Sequence, residues 1–148
     1  MTQSDKDLLL KDLCARLPYG VIVNTSKGNS PAFSVCVGHS FSTCLTELMT
    51  DKIEFVKPYL RPMSSMTYEE MQEAREKFFD GSDHYDIDNI GEIYADTYQP
   101  YTTVYMLSFA RLSGYIDWLN SHHFDYRGLI EKGLAIAVTN ENNPYMYI

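Results

Sequence analysis

A chain of 148 residues with a formal charge of −8 is long enough to fold as one domain around a sizeable core. The surplus of carboxylates disfavours direct binding to nucleic-acid phosphates, which takes clustered Lys and Arg. No apolar run approaches the roughly 18 residues of a spanning helix, and the polar, acidic start MTQSDKD is not a secretory signal, so a cytoplasmic protein away from membranes is expected.

In chain order, Ser4 and Asp7 make an approximate capping box. Leu9, Leu13 and Leu17 follow at i, i+4 and i+8, with Leu10 and Cys14 beside them, which predicts a first helix over 5–17 ended by Pro18. Tyr19–Thr25 alternates, with Tyr19, Val21 and Val23 on one face. Ser26–Pro31 is a turn by composition, and Phe33, Val35 and Val37 alternate again. Two such runs read as an antiparallel hairpin. Cys44–Met49 is a weaker strand that Ile53–Val56 can pair with, and Pro58 and Pro62 restrict Lys57–Pro62 to an edge strand or extended arm. The cysteines, Cys14, Cys36 and Cys44, are odd in number and lack CxxC spacing, so they read as reduced thiols that mostly fill core.

Thr67-Tyr68-Glu69-Glu70 is a capping box with acids in the first turn, and the helix it opens extends to about Phe79. An acidic stretch follows. From Phe78 to Ala110 there are six acids (Asp80, Asp83, Asp86, Asp88, Glu92, Asp96) and no Lys or Arg. Ile87, Ile90, Ile93 and Tyr94 suggest helical turns inside it. Thr102 or Thr103 is placed to cap a long helix over 103–121.

The stretch Ile116–Val138 organises the second half. Leu112, Tyr115, Ile116 and Leu119 share one helix face, beside the single tryptophan, Trp118. His122 and His123 fall at the helix end, where the dipole favours a protonated imidazole. Asp125 is placed to cap a short helix beginning at Tyr126, Gly133 to close it in the left-handed region, and Leu134–Val138 to form a buried strand. Arg127 and Glu131 are spaced as an i, i+4 pair. Asn140–Asn143 is a polar turn, and the aromatic tail Pro144–Ile148 can dock back on the body.

The run WLNSHHFDYRGLIEKGLA, with LLLKDLCARLPYGVIV (Leu8–Val23) and VKPYLRPMSSMTYEEM (Val56–Met71), resembles short uncharacterised proteins of gut anaerobic bacteria and of their phages and mobile elements. The three motifs cover about a third of the chain. The resemblance implies a mobile-element context and brings no activity, ligand or catalytic residue with it.

Motifs for chemistry are weak. Asp86, Asp88 and Gly91 match positions 1, 3 and 6 of an EF-hand loop, but Ile90 and Thr97 stand where positions 5 and 12 need oxygen ligands. Adjacent histidines point about 100° apart on a helix and do not chelate together. Cys36 and His39 are near in sequence but have no orienting acid, and there is no GxSxG elbow or phosphate-binding glycine motif.

These features point to an α+β protein of one domain, residues 1–148: a small antiparallel sheet packed on one face by helices at 5–17, 68–79 and 103–121, with strand 134–138 joining the sheet. No catalytic group, metal or cofactor is expected. The functional expectation is a non-enzymatic binding or inhibitor protein that meets a basic, nucleic-acid-binding partner through Asp83, Tyr85, Asp86, Asp88, Glu92, Tyr94, Asp96 and Tyr98, the carboxylates imitating phosphates. Two alternatives stand beside it. One is a metal-dependent hydrolase using His122, His123 and Asp125. The other is a homodimer or larger structural assembly built on the twelve tyrosines.

Overall fold

The computed structural model describes residues 1–25, 28–31, 53–79, 85–87, 91, 93–95 and 109–147. In chain order these form α1 (Gln3–Arg16), β1 (Ile22–Thr25), β2 (Gly28–Pro31), β3 (Lys57–Leu60), α2 (Tyr68–Ala74), β4 (Tyr85–Ile87), β5 (Ile93–Ala95), α3 (Phe109–Ser121) and β6 (Ile136–Ala137), with short 3-10 turns between them. The fold class is α+β, as expected. The chain separates into two compact units, Met1–Pro62 with Asn120–Ile148, and Met63–Leu119.

The first unit is built on a four-stranded sheet of order β2-β1-β3-β6. The expected hairpin is present but tighter. β2 is Gly28–Pro31 itself, paired with β1 from Thr25–Gly28 to Ile22–Pro31, so residues expected to turn are already in the ladder. The run Phe33–Val37 and the strand candidate Cys44–Met49 lie outside the described residues. The sheet is mixed rather than antiparallel, because β6 runs parallel to β3. β3 was expected at an edge on account of Pro58, yet it lies inside the sheet. Pro58 is tolerated because each half of β3 is paired on one side: Lys57 and Pro58 face β1, Tyr59 and Leu60 face β6. Ile53–Val56 is not a strand; its first three residues make a 3-10 turn.

The cap of α1 sits earlier than the Ser4–Asp7 spacing suggested. Thr2 Oγ1 accepts from the Asp5 backbone N–H, and the Asp5 carboxylate accepts from that of Thr2, each at 3.1 Å. The Thr2 hydroxyl also donates to that carboxylate at 2.7 Å, and this bond, with the one from the Thr2 N–H, holds the Asp5 carboxyl below its usual range. The helix turns Leu9 and Leu13 onto Val21, Val23, Val56 and Leu60, and Leu129, Leu134 and Ala135 complete this core. Cys14 is exposed rather than core filler.

Tyr126–Gly133 is a set of turns, not the expected helix. Asp125 nevertheless caps it. Its two carboxylate oxygens accept the N–H groups of Leu129 and Ile130 at 2.9 and 2.8 Å. Gly133, at φ +70°, closes the turn as expected, with Gly133 N bonded to Ile130 O and Leu134 N to Leu129 O. β6 is then only Ile136–Ala137, with Leu134 and Ala135 buried just before it.

In the second unit, Thr67 caps α2 as its sequence predicted: Glu70 N donates to Thr67 Oγ1, and Thr67 N donates to the Glu70 carboxylate at 2.9 Å. The helix continues as a π turn over Arg75–Phe79. Phe79 meets Tyr115 edge-on at 5.2 Å between ring centres, and Tyr115 stacks on Trp118 at 6.0 Å. The expected helical turns near Ile87–Tyr94 are instead a two-stranded ribbon, β4 against β5. Its period is two: Ile87, fully buried, is opposite Ile93, and Asp86 is opposite Tyr94. Gly91, at φ +76°, lies where a Cβ would come within 2.6 Å of the Met63 methyl, so no larger residue fits without displacement. The Tyr115 hydroxyl donates to its carbonyl at 2.7 Å. The expected caps Thr102 and Thr103 lie outside the described residues.

Leu129 is fully buried in the first core. Leu129→Ala is expected to lower unfolding free energy by about 2–5 kcal/mol, read from the midpoint of urea denaturation.

Candidate functional site

Of the eight residues expected to meet a partner, Tyr85, Asp86 and Tyr94 fall among the described residues, on the β4–β5 ribbon. Asp83, Asp88, Glu92, Asp96 and Tyr98 lie outside them. Asp86 is already engaged. Its Oδ1 accepts from Arg75 Nε at 2.9 Å and from the Ile87 N–H at 2.7 Å, while Arg75 also donates to the Ile87 carbonyl. Asp86 therefore anchors the ribbon to the π turn after α2, and its charge is largely compensated. Sequence reading missed Arg75 because the two residues belong to different elements. The same contact removes Asp86 from the EF-hand pattern. Glu69 on α2, Glu76 in the π turn that follows it and Asp117 on α3 are exposed.

The second cluster lies in the first unit, where the chain leaves α3. His123 takes the left-handed conformation, φ +60°, and its carbonyl accepts from Arg61 N at 2.8 Å. Asp125 N returns a bond to the Arg61 carbonyl, so Phe124 is clipped alongside the end of β3. The Arg61 guanidinium lies over the Phe124 ring, 4.2 Å from its centre. His122 Nδ1 is 3.1 Å from Ser121 Oγ. The His123 ring stacks on Tyr145 at 4.1 Å and 9°. His123 is not the protonated helix-end imidazole that the dipole argument favoured. Burial, reinforced by the charges of Arg16, His122 and Arg61, pushes its pKa down to about 4.

Beneath this turn is a buried ion pair. Asp12 and Arg16, both fully buried on α1, are joined by two bonds of 2.8 and 3.0 Å. Arg16 Nη2 also donates to the Phe124 carbonyl at 2.7 Å. Arg127, expected to pair with Glu131, turns instead to Asp12 at 3.3 Å and lies over the Tyr126 ring. One readable signal for the pair was present: Leu9, Asp12, Leu13 and Arg16 fall at i, i+3, i+4 and i+7, so two charges stand in the apolar stripe.

This arrangement is structural in character. The Asp125 carboxylate is committed to two backbone N–H groups, and the His123 ring is packed against Tyr145. His122, His123 and Asp125 therefore do not present a joint set of free ligating atoms. Among the described residues no group of three or more His, Cys, Asp and Glu is placed to hold a metal ion. No helix among them is long and apolar enough to cross a membrane.

Removing the Asp12 carboxylate strands Arg16 in the interior. Asp12→Ala is expected to cost about 3–5 kcal/mol, whereas the double change Asp12→Leu with Arg16→Met is expected to cost clearly less, because both desolvation penalties then disappear. Urea denaturation of the two variants checks the order. Compared with known proteins, the chain matches no protein-family model, no curated protein and no solved structure.

Proposed function

We propose that the chain is a small acidic, non-enzymatic binding protein that inhibits or docks on a partner with a basic, nucleic-acid-binding surface. The observation that carries the reading is where the charge lies. Residues 63–119 hold eleven acids and three bases, a net −8, while the remainder holds nine of each and is neutral. All of the protein's formal charge thus belongs to one of its two units. Such a field steers association with a cationic surface and raises its rate at low salt.

Asp86, held by Arg75, serves the ribbon's architecture in this reading. Partner contact then falls to Asp83, Asp88, Glu92 and Asp96, with Tyr85, Tyr94 and Tyr98 interleaved. Alternating carboxylates and aromatic rings suit a groove that otherwise takes phosphates and stacked bases. The resemblance to phage and mobile-element proteins suggests a host defence nuclease as the partner class.

The test is retention from host lysate on immobilised full-length protein at about 0.05 M and about 0.5 M salt, conditions that differ several-fold in screening length. A basic nucleic-acid-binding protein is expected to be held at low salt, released at high salt, and displaced by duplex DNA. Changing Asp83, Asp88 and Asp96 to Asn and Glu92 to Gln is expected to weaken binding at least tenfold. Retention of nothing at either salt overturns the proposal. Sedimentation of the pure protein separates this reading from self-assembly through the tyrosines.

A further inference from the structure

We propose that the C-terminal segment Pro144–Tyr147 is a strap latched across the sheet by the uncharged His123 ring, and that acidification releases it by protonating that ring. The latch is built at one point. The β1–β3 ladder runs from Asn24–Lys57 to Val23–Pro58 and stops. The next rung would be Ile22–Tyr59. The Tyr145 hydroxyl takes its place, accepting from Ile22 N at 3.2 Å and donating to the Tyr59 carbonyl at 2.7 Å. One side chain from the tail thereby satisfies two backbone groups on neighbouring strands.

His123 holds that tyrosine by its face. The rings are parallel within 9° and 4.1 Å apart. His123 is half-buried; its Nδ1 is fully buried and has no hydrogen-bond partner among the described residues. A proton on the ring would bring a charge into this buried setting, and the groups around it oppose that charge. Arg16 of α1, Arg61 after β3 and the adjacent His122 are the charged or titratable neighbours acting on it, and each disfavours protonation. Of the nearby carboxylates, Asp12 is shared by Arg16 and Arg127, and Asp125 is taken by two backbone N–H groups. Tyr145 remains a phenol, pushed up to about 12 chiefly by burial. The attraction of a cation for its ring face is outweighed by the lost hydration and the neighbouring positive charges.

The strap is also jointed. In the turn before it, Asn142 Oδ1 accepts from Thr139 N and Oγ1, while Asn142 Nδ2 donates to the Ala137 carbonyl. This turn closes on itself beside β6, so the tail can lift without breaking the β3–β6 pairing.

The sign follows from linkage. The latched ring has its pKa lowered to about 4, against 6.5 when free. The latch is at full strength above pH 6.5, weakens as pH falls through the interval, and has lost this contribution below about 4. One proton with these values weakens the latched state about 30-fold between pH 7.5 and pH 5.

Native-state hydrogen exchange of the full-length protein tests this at the Ile22 amide, after correction for the intrinsic exchange rate. Its protection is expected to fall about 30-fold from pH 7.5 to pH 5. At both pH values it should be lower than that of the Leu13 amide and insensitive to sub-denaturing urea, because a strap opening exposes little surface. His123→Phe keeps a ring that cannot protonate, and His123→Asn tolerates the left-handed backbone. Both should remove the acid sensitivity. Tyr145→Phe should leave Ile22 poorly protected at both pH values. The proposal is overturned if Ile22 protection is the same at both pH values in the unaltered protein. It is also overturned if Ile22 follows Leu13 in size and urea dependence, or if acid sensitivity survives in both His123 variants.

Discussion

The buried contact between Asp12 and Arg16 is the constraint on which the first unit depends. A guanidinium at zero exposure must be paired, and α1 supplies its counter-charge one turn away. While Arg16 Nη1 has no hydrogen-bond partner among the described residues, Nη2 also donates to the Phe124 carbonyl. That bond ties the N-terminal helix to the turn that follows α3. Arg61, Asp125 and Arg127 then assemble around the same few residues, by backbone exchange, turn capping and a second bond to Asp12. A replacement of any one of these groups is therefore felt by the others, since they share partners within one buried network.

The network also explains why the residues that look most reactive serve architecture. A carboxylate and two histidines within four positions invite a catalytic or metal reading. Yet the Asp125 oxygens are used by Leu129 and Ile130, and His123 is kept neutral between its cationic neighbours and Tyr145. The second unit differs in kind. It has its own aromatic centre around Phe79, Tyr115 and Trp118, and a surplus of acids. Neutral scaffold and charged module are thus divided between the two units, and the functional proposal rests on that division.

Much of the local structure was legible. The Thr67–Glu70 cap, the apolar face of α3 and the left-handed Gly133 all follow from signals that act within a few residues. The errors are of two kinds, tertiary pairing that overrides a local pattern and a local motif placed two residues off. Ile87, Ile90, Ile93 and Tyr94 have helical spacing, but pairing of β4 with β5 and burial of Ile87 override it. The Ser4–Asp7 box was a near miss, because Thr2–Asp5 has the same spacing two residues earlier and forms both reciprocal bonds. Pro58 marks an edge by composition, and the interior place of its strand in the sheet became possible because β1 and β6 take different halves of it, leaving Pro58 paired on one side only.

By itself, then, the sequence determined the α+β class, the main helix faces and the location of the acidic surplus, since each depends on periodicity, capping or charge count along the chain. Tertiary structure alone decided that β6 runs parallel to β3, that Arg75 compensates Asp86, and that Tyr145 bridges two strands beneath His123. Those outcomes join groups far apart in the chain, as Arg16 and Phe124 are joined across a separation of 108 residues. No local propensity encodes such a partner; desolvation of the buried polar groups selects it once the core has closed.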